Sequence, residues 1–419
     1  MTVSQAQEKL KKYDQEHLLT FYEDLSEHEK ETLLAQISEV DLSYQKAAVA
    51  AAQGGFALPR GEIAPIAVRK LSQIALEEAE YRRIGLDAIK QGKLGAILLA
   101  GGMGSRLGSD GPKGVYNIGT HKELSIFECL FQNLMDVVRE SGTWITLFVM
   151  TSDKNHEETV RFLTQHRFFG YDEARIHFFK QTMTVATDYE GKVLLEEKGR
   201  ISTSPSGNGG WYLSMRDAGL LDVVSAEGIE WLNVFAVDNV LQRIADPCFL
   251  GATIQDQASV GAKVFAKCAK DERIGIMCLE DGKPSIIEYY DMTDDLADAK
   301  DANGEWLYQY GVILNYLFRE SELRRIVDQS LPLHVVNKKI QHIDKEGRPV
   351  NPTEPNGYRY ETLVLDMIHE LGRCLPYEVV REKEFAPIKN LTGIDSVETA
   401  RALLQKDREA HLLRREETI

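Results

Sequence analysis

Residues 94–114 read LGAILLAGGMGSRLGSDGPKG, and this stretch restricts what the chain can fold into more than any other. The continuous apolar run from Leu94 to Ala100 reads as a buried strand. It empties into a loop with glycines at Gly101, Gly102, Gly104 and Gly108, joined by the cations Arg106 and Lys113. Glycine lets the backbone take positive φ and brings bare N–H groups close to a ligand. N–H groups in such a concavity, beside fixed cations, bind phosphate. An ordinary strand-to-helix turn does not need so many glycines interleaved with cations, so the loop reads as built for a polyphosphate. Two familiar phosphate loops fit only in part. The dinucleotide pattern G-x-G-x-x-G has Leu107 at its third position, and the Walker pattern fails because Lys113 lies between Pro112 and Gly114.

From Leu94 onward, apolar runs alternate with helical patterns. TWITLFVMTS (143–152), RIHFFKQ (175–181) and EWLNVFAVDN (230–239) read as strands, and a helix is predicted around NHEETVRFL, with Asp153 or Asn155 as its cap. This alternation predicts an α/β fold with a mostly parallel sheet and helices on both faces. In such sheets a ligand sits beyond the carboxyl ends of the strands. Gly101, Ser152, Gln181 and Asp238 each end an apolar run, so one ligand would meet all four neighbourhoods. Residues 1–92 read as a helical N-terminal region interrupted by a Gly/Pro linker at 54–65, residues 93–390 as the catalytic domain, and residues 391–419 as a C-terminal helical extension. Asp395 and Glu398 stand at capping-box spacing at the start of that last helix, which docks on the domain or joins a partner chain, leaving homo-oligomerisation open.

The glycine stretch resembles the signature of the UTP-dependent sugar-1-phosphate uridylyltransferases, L-x-G-G-x-G-T/S-R-L-G-x-x-x-P-K-G, with every fixed position filled between Leu99 and Gly114. The likeness continues through EEKGRISTSPSGNGGWY (196–212), FAVDNVLQRIADPCFLG (235–251), IIEYYDM (286–292), HVVNKKI (334–340), NPTEPNGYRYETLVLDMI (351–368) and REKEFAPIKN (381–390). Within that family the chain resembles the UDP-N-acetylhexosamine pyrophosphorylases and their bacterial relatives. The resemblance implies a Rossmann-like, GT-A-like nucleotidyltransferase fold and a reaction joining UTP and a sugar 1-phosphate into a UDP-sugar and pyrophosphate. N-acetylglucosamine 1-phosphate is the implied sugar, with glucose and galactose 1-phosphate open.

Uridylyl transfer asks for few reactive groups. A sugar 1-phosphate is already nucleophilic, because the second pKa of a phosphate monoester is about 6. What remains is positioning and charge neutralisation. A search for a general-base triad is therefore the wrong search, and His156-Glu157-Glu158 lacks the second histidine of a zinc helix. The resemblance makes Arg106 and Lys113 the cations for the UTP phosphates and Lys389 a lysine meeting them from the opposite side; Lys338 and Lys339 are weaker candidates. It makes Asp238 the Mg2+ ligand, in keeping with the preference of Mg2+ for hard oxygen donors shared with phosphate. Gly101, Gly102 and Gly207 belong to the substrate-binding loops, Asn208 reads uracil or sugar, and Gln181 pairs with the uracil edge. Glu288 and Tyr289 match the sugar-hydroxyl contacts. One segment departs from the pattern. The N-acetylhexosamine branch has A-G-N where this chain has Tyr310-Gly311-Val312, and Val312 cannot make the amide hydrogen bond to the sugar.

A net charge of −16 argues against a nucleic-acid or anionic-membrane surface, so a polyanionic substrate needs a local cationic pocket such as the glycine loop. Five scattered cysteines with no C-x-x-C pair read as free thiols in a reducing compartment, and the polar N-terminus and lack of a long apolar run point to the cytoplasm. Two other classes compete with the transferase reading. A non-catalytic nucleotide-sugar binder is disfavoured by the joint presence of Arg106, Lys113, Asp238 and Lys389. An NAD-linked dehydrogenase is disfavoured by the failed third glycine and by the missing acidic residue about 20 residues on. The acidic stretch 291–305 does not match a calcium loop, because Gly304 would put Ala299 at the first ligand position.

Overall fold

The computed structural model describes residues 1–43, 50, 61–328 and 331–416. The chain forms two compact units, each discontinuous in sequence. The larger comprises residues 61–181, 211–330 and 365–419, and the smaller comprises residues 1–60, 182–210 and 331–364.

A ten-stranded sheet runs through the larger unit. Its parallel part holds the strands Ile176–Lys180, Thr146–Thr151, Leu94–Leu99 and Trp231–Ala236, in that order. The register pairs Leu99 with Met150 on one side and Ala236 on the other, so these strands end level with one another. All six residues of both Leu94–Leu99 and Thr146–Thr151 are buried. Burial on both faces explains why these strands read as unbroken apolar runs rather than alternating ones. Beyond 231–236 the sheet continues antiparallel through the ten-residue strand Tyr310–Arg319, whose two halves pair differently. Residues 315–319 pair with 231–235, whereas Gly311 pairs with Ile276. Val260–Ala266 lies along both halves and carries the parallel edge strand Cys374–Glu378. The amphipathic helix Ile126–Ser141, capped by Ser125, buries Phe127, Leu130, Phe131 and Leu134 in the core of this unit.

The segment read as one N-terminal helical region divides between the units. Leu71–Lys90, a twenty-residue helix, belongs to the larger one. Val3–Lys12 and Glu27–Glu39, closed by capping boxes at Thr2/Gln5 and Ser26/Glu29, belong to the smaller one. There Ala6, Leu10, Leu33 and Ile37 share a core with Val185, Val193, Leu195, Ile201 and Tyr360. Gln15 is fully buried and ties the same region together, donating to the Gly191 carbonyl and accepting from Val193 N–H. Of the predicted linker 54–65, residues 54–60 lie outside the described residues, and Ile63–Ala64 forms a short strand beside Leu279 and Glu280. Among the described residues no helix is long and apolar enough to cross a membrane.

Candidate active site

The glycine loop of the larger unit begins where Ala100 N–H donates to the Met150 carbonyl. The loop doubles back on itself. Lys113 N–H donates to the Gly102 carbonyl at 3.0 Å and Gly104 N–H to the Gly111 carbonyl at 2.8 Å. Gly101 leaves room for Gln181: a Cβ there would lie 2.6 Å from Nε2 of its buried carboxamide, which would have to shift. Gly102 is exposed, with nothing within 4 Å of where its Cβ would stand. Arg106 is exposed and Lys113 half-buried, and neither forms an ion pair among the described residues.

Asn155 holds this loop in place. It occupies the N-cap position of the helix His156–Gln165 but makes no capping hydrogen bond there. Its Nδ2 instead donates to the carbonyls of Ala100 (2.9 Å) and Gly102 (3.2 Å), while its Oδ1 accepts from Ser152 N–H at 2.8 Å. The side chain predicted as a helix cap is thus a clamp between two strand ends. Asp153, the other predicted cap, pairs with Lys180 at the surface.

Asp238 follows the adjacent strand 231–236, whose continuation is tied to the loop's strand by Val237 N–H donating to the Leu99 carbonyl. The segment carrying Lys389 is laced to it. Ile388 N–H donates to the Asp238 carbonyl at 2.9 Å. Asn239 donates from Nδ2 to the Glu384 carbonyl (2.7 Å) and accepts at Oδ1 from Ala386 N–H (2.9 Å). Lys389 Nζ lies 2.9 Å from Asp395 Oδ2. Asp395 takes a left-handed φ of 54° and does not cap the last helix. Ser396 and Thr399 do so, each side chain receiving the other's backbone N–H. Underneath, Lys263 is fully buried in the strand 260–266, with Nζ 2.6 Å from Glu384 Oε2, 3.0 Å from Asp246 Oδ2 and 3.1 Å from the Arg243 carbonyl. Burial opposes the charge on Lys263, but the two carboxylates outweigh it and hold its pKa above the usual lysine range.

Glu288 and Val312 face the same small gap. A Cβ on Gly275 would stand 3.4 Å from Glu288 Oε1 and 3.5 Å from Val312 Cγ2. Val312 N–H donates to the Gly275 carbonyl, which fixes this wall. Tyr289 is exposed and meets Tyr290 edge-on at 5.2 Å. Burial pushes the neighbouring Tyr310 phenol up to about 12.

Gly207 and Asn208 lie in the smaller unit, as do Lys338 and Lys339, which are exposed. Gly207 has φ +86°, and a Cβ there would come within 2.3 Å of the Thr362 carbonyl. Asn208 Oδ1 accepts from Val364 N–H at 2.9 Å, so the side chain both shapes the glycine turn and keeps its Nδ2 as a donor.

A family model described as UTP–glucose-1-phosphate uridylyltransferase matches residues 62–415. The chain belongs to this family, that of the UDP-sugar pyrophosphorylases. It is 34% identical over 409 residues to the UDP-N-acetylglucosamine pyrophosphorylase of Saccharomyces cerevisiae, covering 94% of this chain and 84% of that one. It is 33% identical over 406 residues to the UDP-N-acetylhexosamine pyrophosphorylase-like protein 1 of Mus musculus, covering 91% and 79%. The structure of the Trypanosoma brucei uridine diphosphate N-acetylglucosamine pyrophosphorylase, solved with an inhibitor, superposes with a TM-score of 0.82 at 27% identity, covering 95% and 83%.

Sequence reasoning about this uridylyltransferase-family chain missed the supports behind its site: Asn155 as clamp, Asp395 as the partner of Lys389, and the Lys263–Glu384–Asp246 cluster. The last had a signal. Lys263 interrupts the apolar run VGAKVFA, and a cation inside a buried strand requires a partner. The other two carried none, because an Asn or Asp beside a helix start is read as a cap by default.

Proposed function

We propose that this chain is a Mg2+-dependent uridylyltransferase acting in the cytoplasm, with N-acetylglucosamine 1-phosphate as its first-choice sugar. A phosphate oxygen of the sugar 1-phosphate attacks the α-phosphorus of UTP, the bond from that phosphorus to the β-phosphate bridge breaks, and pyrophosphate leaves. The observation that carries this reading is a juxtaposition. A glycine loop whose two cations form no ion pair among the described residues and an aspartate whose own backbone binds the Lys389 segment emerge from adjacent parallel strands. Arg106 and Lys113 neutralise the UTP phosphates, Lys389 meets the charge that builds on the transferring and leaving groups, and Gln181 and Asn208 read the uracil and sugar. Glu288 and Tyr289 orient the sugar hydroxyls.

Among the described residues no group of three or more His, Cys, Asp or Glu side chains forms a metal cage. Mg2+ takes one or two carboxylates and completes its shell with phosphate and water, so Asp238 together with the substrate's phosphates would hold it. Bound there, it would supply charge neutralisation at the phosphates.

Val312 favours a second reading on the same chemistry. An apolar side chain beside Glu288 offers no donor or acceptor to an acetamido group, so glucose or galactose 1-phosphate competes as the natural substrate. Pyrophosphate release from UTP with a panel of sugar 1-phosphates, with and without Mg2+, tests both. Turnover of N-acetylglucosamine 1-phosphate above the others supports the first, and the reverse order supports the second. Failure to turn over any sugar would leave a nucleotide-sugar binder.

A further inference from the structure

We infer that Lys263 and Glu384 form a positioning pair that sets where Lys389 stands relative to Asp238. The inference rests on the uridylyltransferase reading of those two residues. Lys263 and Glu384 themselves lie beneath the site and are not assigned to any substrate. Lys263 has no exposed surface, and its ammonium is shared between Glu384 at 2.6 Å and Asp246 at 3.0 Å. Asp246 caps the helix Pro247–Gln255 through Cys248 N–H, so one end of the cluster is anchored to a rigid element. Glu384 opens the other end, the segment 384–389. From there the connection is unbroken: the Glu384 carbonyl to Asn239 Nδ2, Asn239 Oδ1 to Ala386 N–H, and Ile388 N–H to the Asp238 carbonyl. Lys389 is the next residue.

Stability alone is a poor reason for such a pair. Burying an ion pair costs desolvation that its attraction offsets at best, and apolar residues of the same volume often serve a fold as well. What an apolar side chain cannot supply is direction. The ammonium fixes the Glu384 carboxylate, and with it the start of the segment, in one orientation. Transfer chemistry is sensitive to this, because a displacement of about 1 Å can cost on the order of a hundredfold in rate.

The test uses the full chain and its pyrophosphate release at saturating UTP, Mg2+ and sugar 1-phosphate. Glu384→Gln is expected to lower kcat about tenfold with KM for the sugar 1-phosphate nearly unchanged. If Glu384 acts through Lys389, combining Glu384→Gln with Lys389→Ala gives a rate no lower than Lys389→Ala alone. Losses that multiply overturn the proposal. Lys263→Met with Glu384→Leu separates position from stability: the unfolding midpoint is expected to stay near that of the parent while kcat remains low, and recovery of kcat with the midpoint overturns it. Amide exchange gives a readout independent of turnover. Glu384→Gln should lower protection at Ala386 and Ile388 about tenfold, and unchanged protection refutes the mechanical link. A parent chain that turns over no sugar 1-phosphate sinks the functional reading instead, and with it the role given to Lys389, whatever the exchange data say about the link.

Discussion

Asn155 is where the phosphate-loop architecture is most sharply testable. The residue is 1% exposed and its amide makes three hydrogen bonds, to Ala100 O, Gly102 O and Ser152 N–H. Asn155→Ala strands the Ser152 N–H and the Ala100 carbonyl, both in buried residues, at about 1–3 kcal/mol each. Gly102 is exposed, so water takes over there and the further loss is small. The sum is a destabilisation of about 2–6 kcal/mol. Urea unfolding followed by tryptophan fluorescence measures it in the right place, because Trp144, Trp211, Trp231 and Trp306 all belong to the larger unit. Asn155→Asp sharpens the test. It keeps the acceptor for Ser152 N–H but turns a donor toward the two carbonyls into a carboxylate oxygen. That carboxylate is held above its unfolded pKa in the native state, so its contribution is present at low pH and is lost as pH rises. The Asp variant should therefore be less stable than the Ala variant at pH 8 and more stable at pH 5. A loss below about 1 kcal/mol in Asn155→Ala, or an Asp variant indifferent to pH, would refute the clamp.

Four further outcomes are expected. Lys113→Ala lowers kcat/KM for UTP about a hundredfold or more with an unchanged urea midpoint, and near-normal activity removes its assignment to the phosphates. Asp238→Asn raises the Mg2+ concentration needed for half-maximal rate, whereas an identical metal titration makes Asp238 a purely structural residue. Val312→Asn raises the preference for N-acetylglucosamine over glucose 1-phosphate about tenfold, and an unmoved ratio means that Val312 does not face the sugar. A thiol reagent at pH 8 labels Cys268 first, since Cys268 is exposed while burial pushes the Cys129 thiol up to about 12 and the Cys248 thiol up to about 11; Cys268→Ser that keeps the fast phase would contradict this.

The strands 94–99 and 146–151 were legible because burial on both faces writes them as nearly unbroken apolar runs. The runs ending at Gly101, Ser152, Gln181 and Asp238 correspond to four neighbouring strands. What the residues did not announce was pairing at a distance. The 310–319 strand serves two partners along its length, and no local pattern encodes that. The same holds at the site. The likeness of Arg106, Lys113, Asp238 and Lys389 to a signature gives their addresses. It does not reveal that Asp395, six residues past Lys389, folds back as its partner. Capping signals misled for one physical reason: Asn155 sits where a cap belongs and Asp395 one residue before it, but each has a stronger claim on its polar atoms elsewhere.

The order in which the smaller unit is stitched together has a consequence for its birth. Leu10 and Ile37 share a core with Tyr360, so a side chain made near the start waits 350 residues (360 − 10) for one made near the end. At about 5–20 residues per second of translation, that wait is roughly 20–70 s. Throughout it the helices 3–12 and 27–39 can bury their apolar faces only against one another and, once made, against Val185, Val193, Leu195 and Ile201, so this core closes in stages and is finished last where Tyr360 enters.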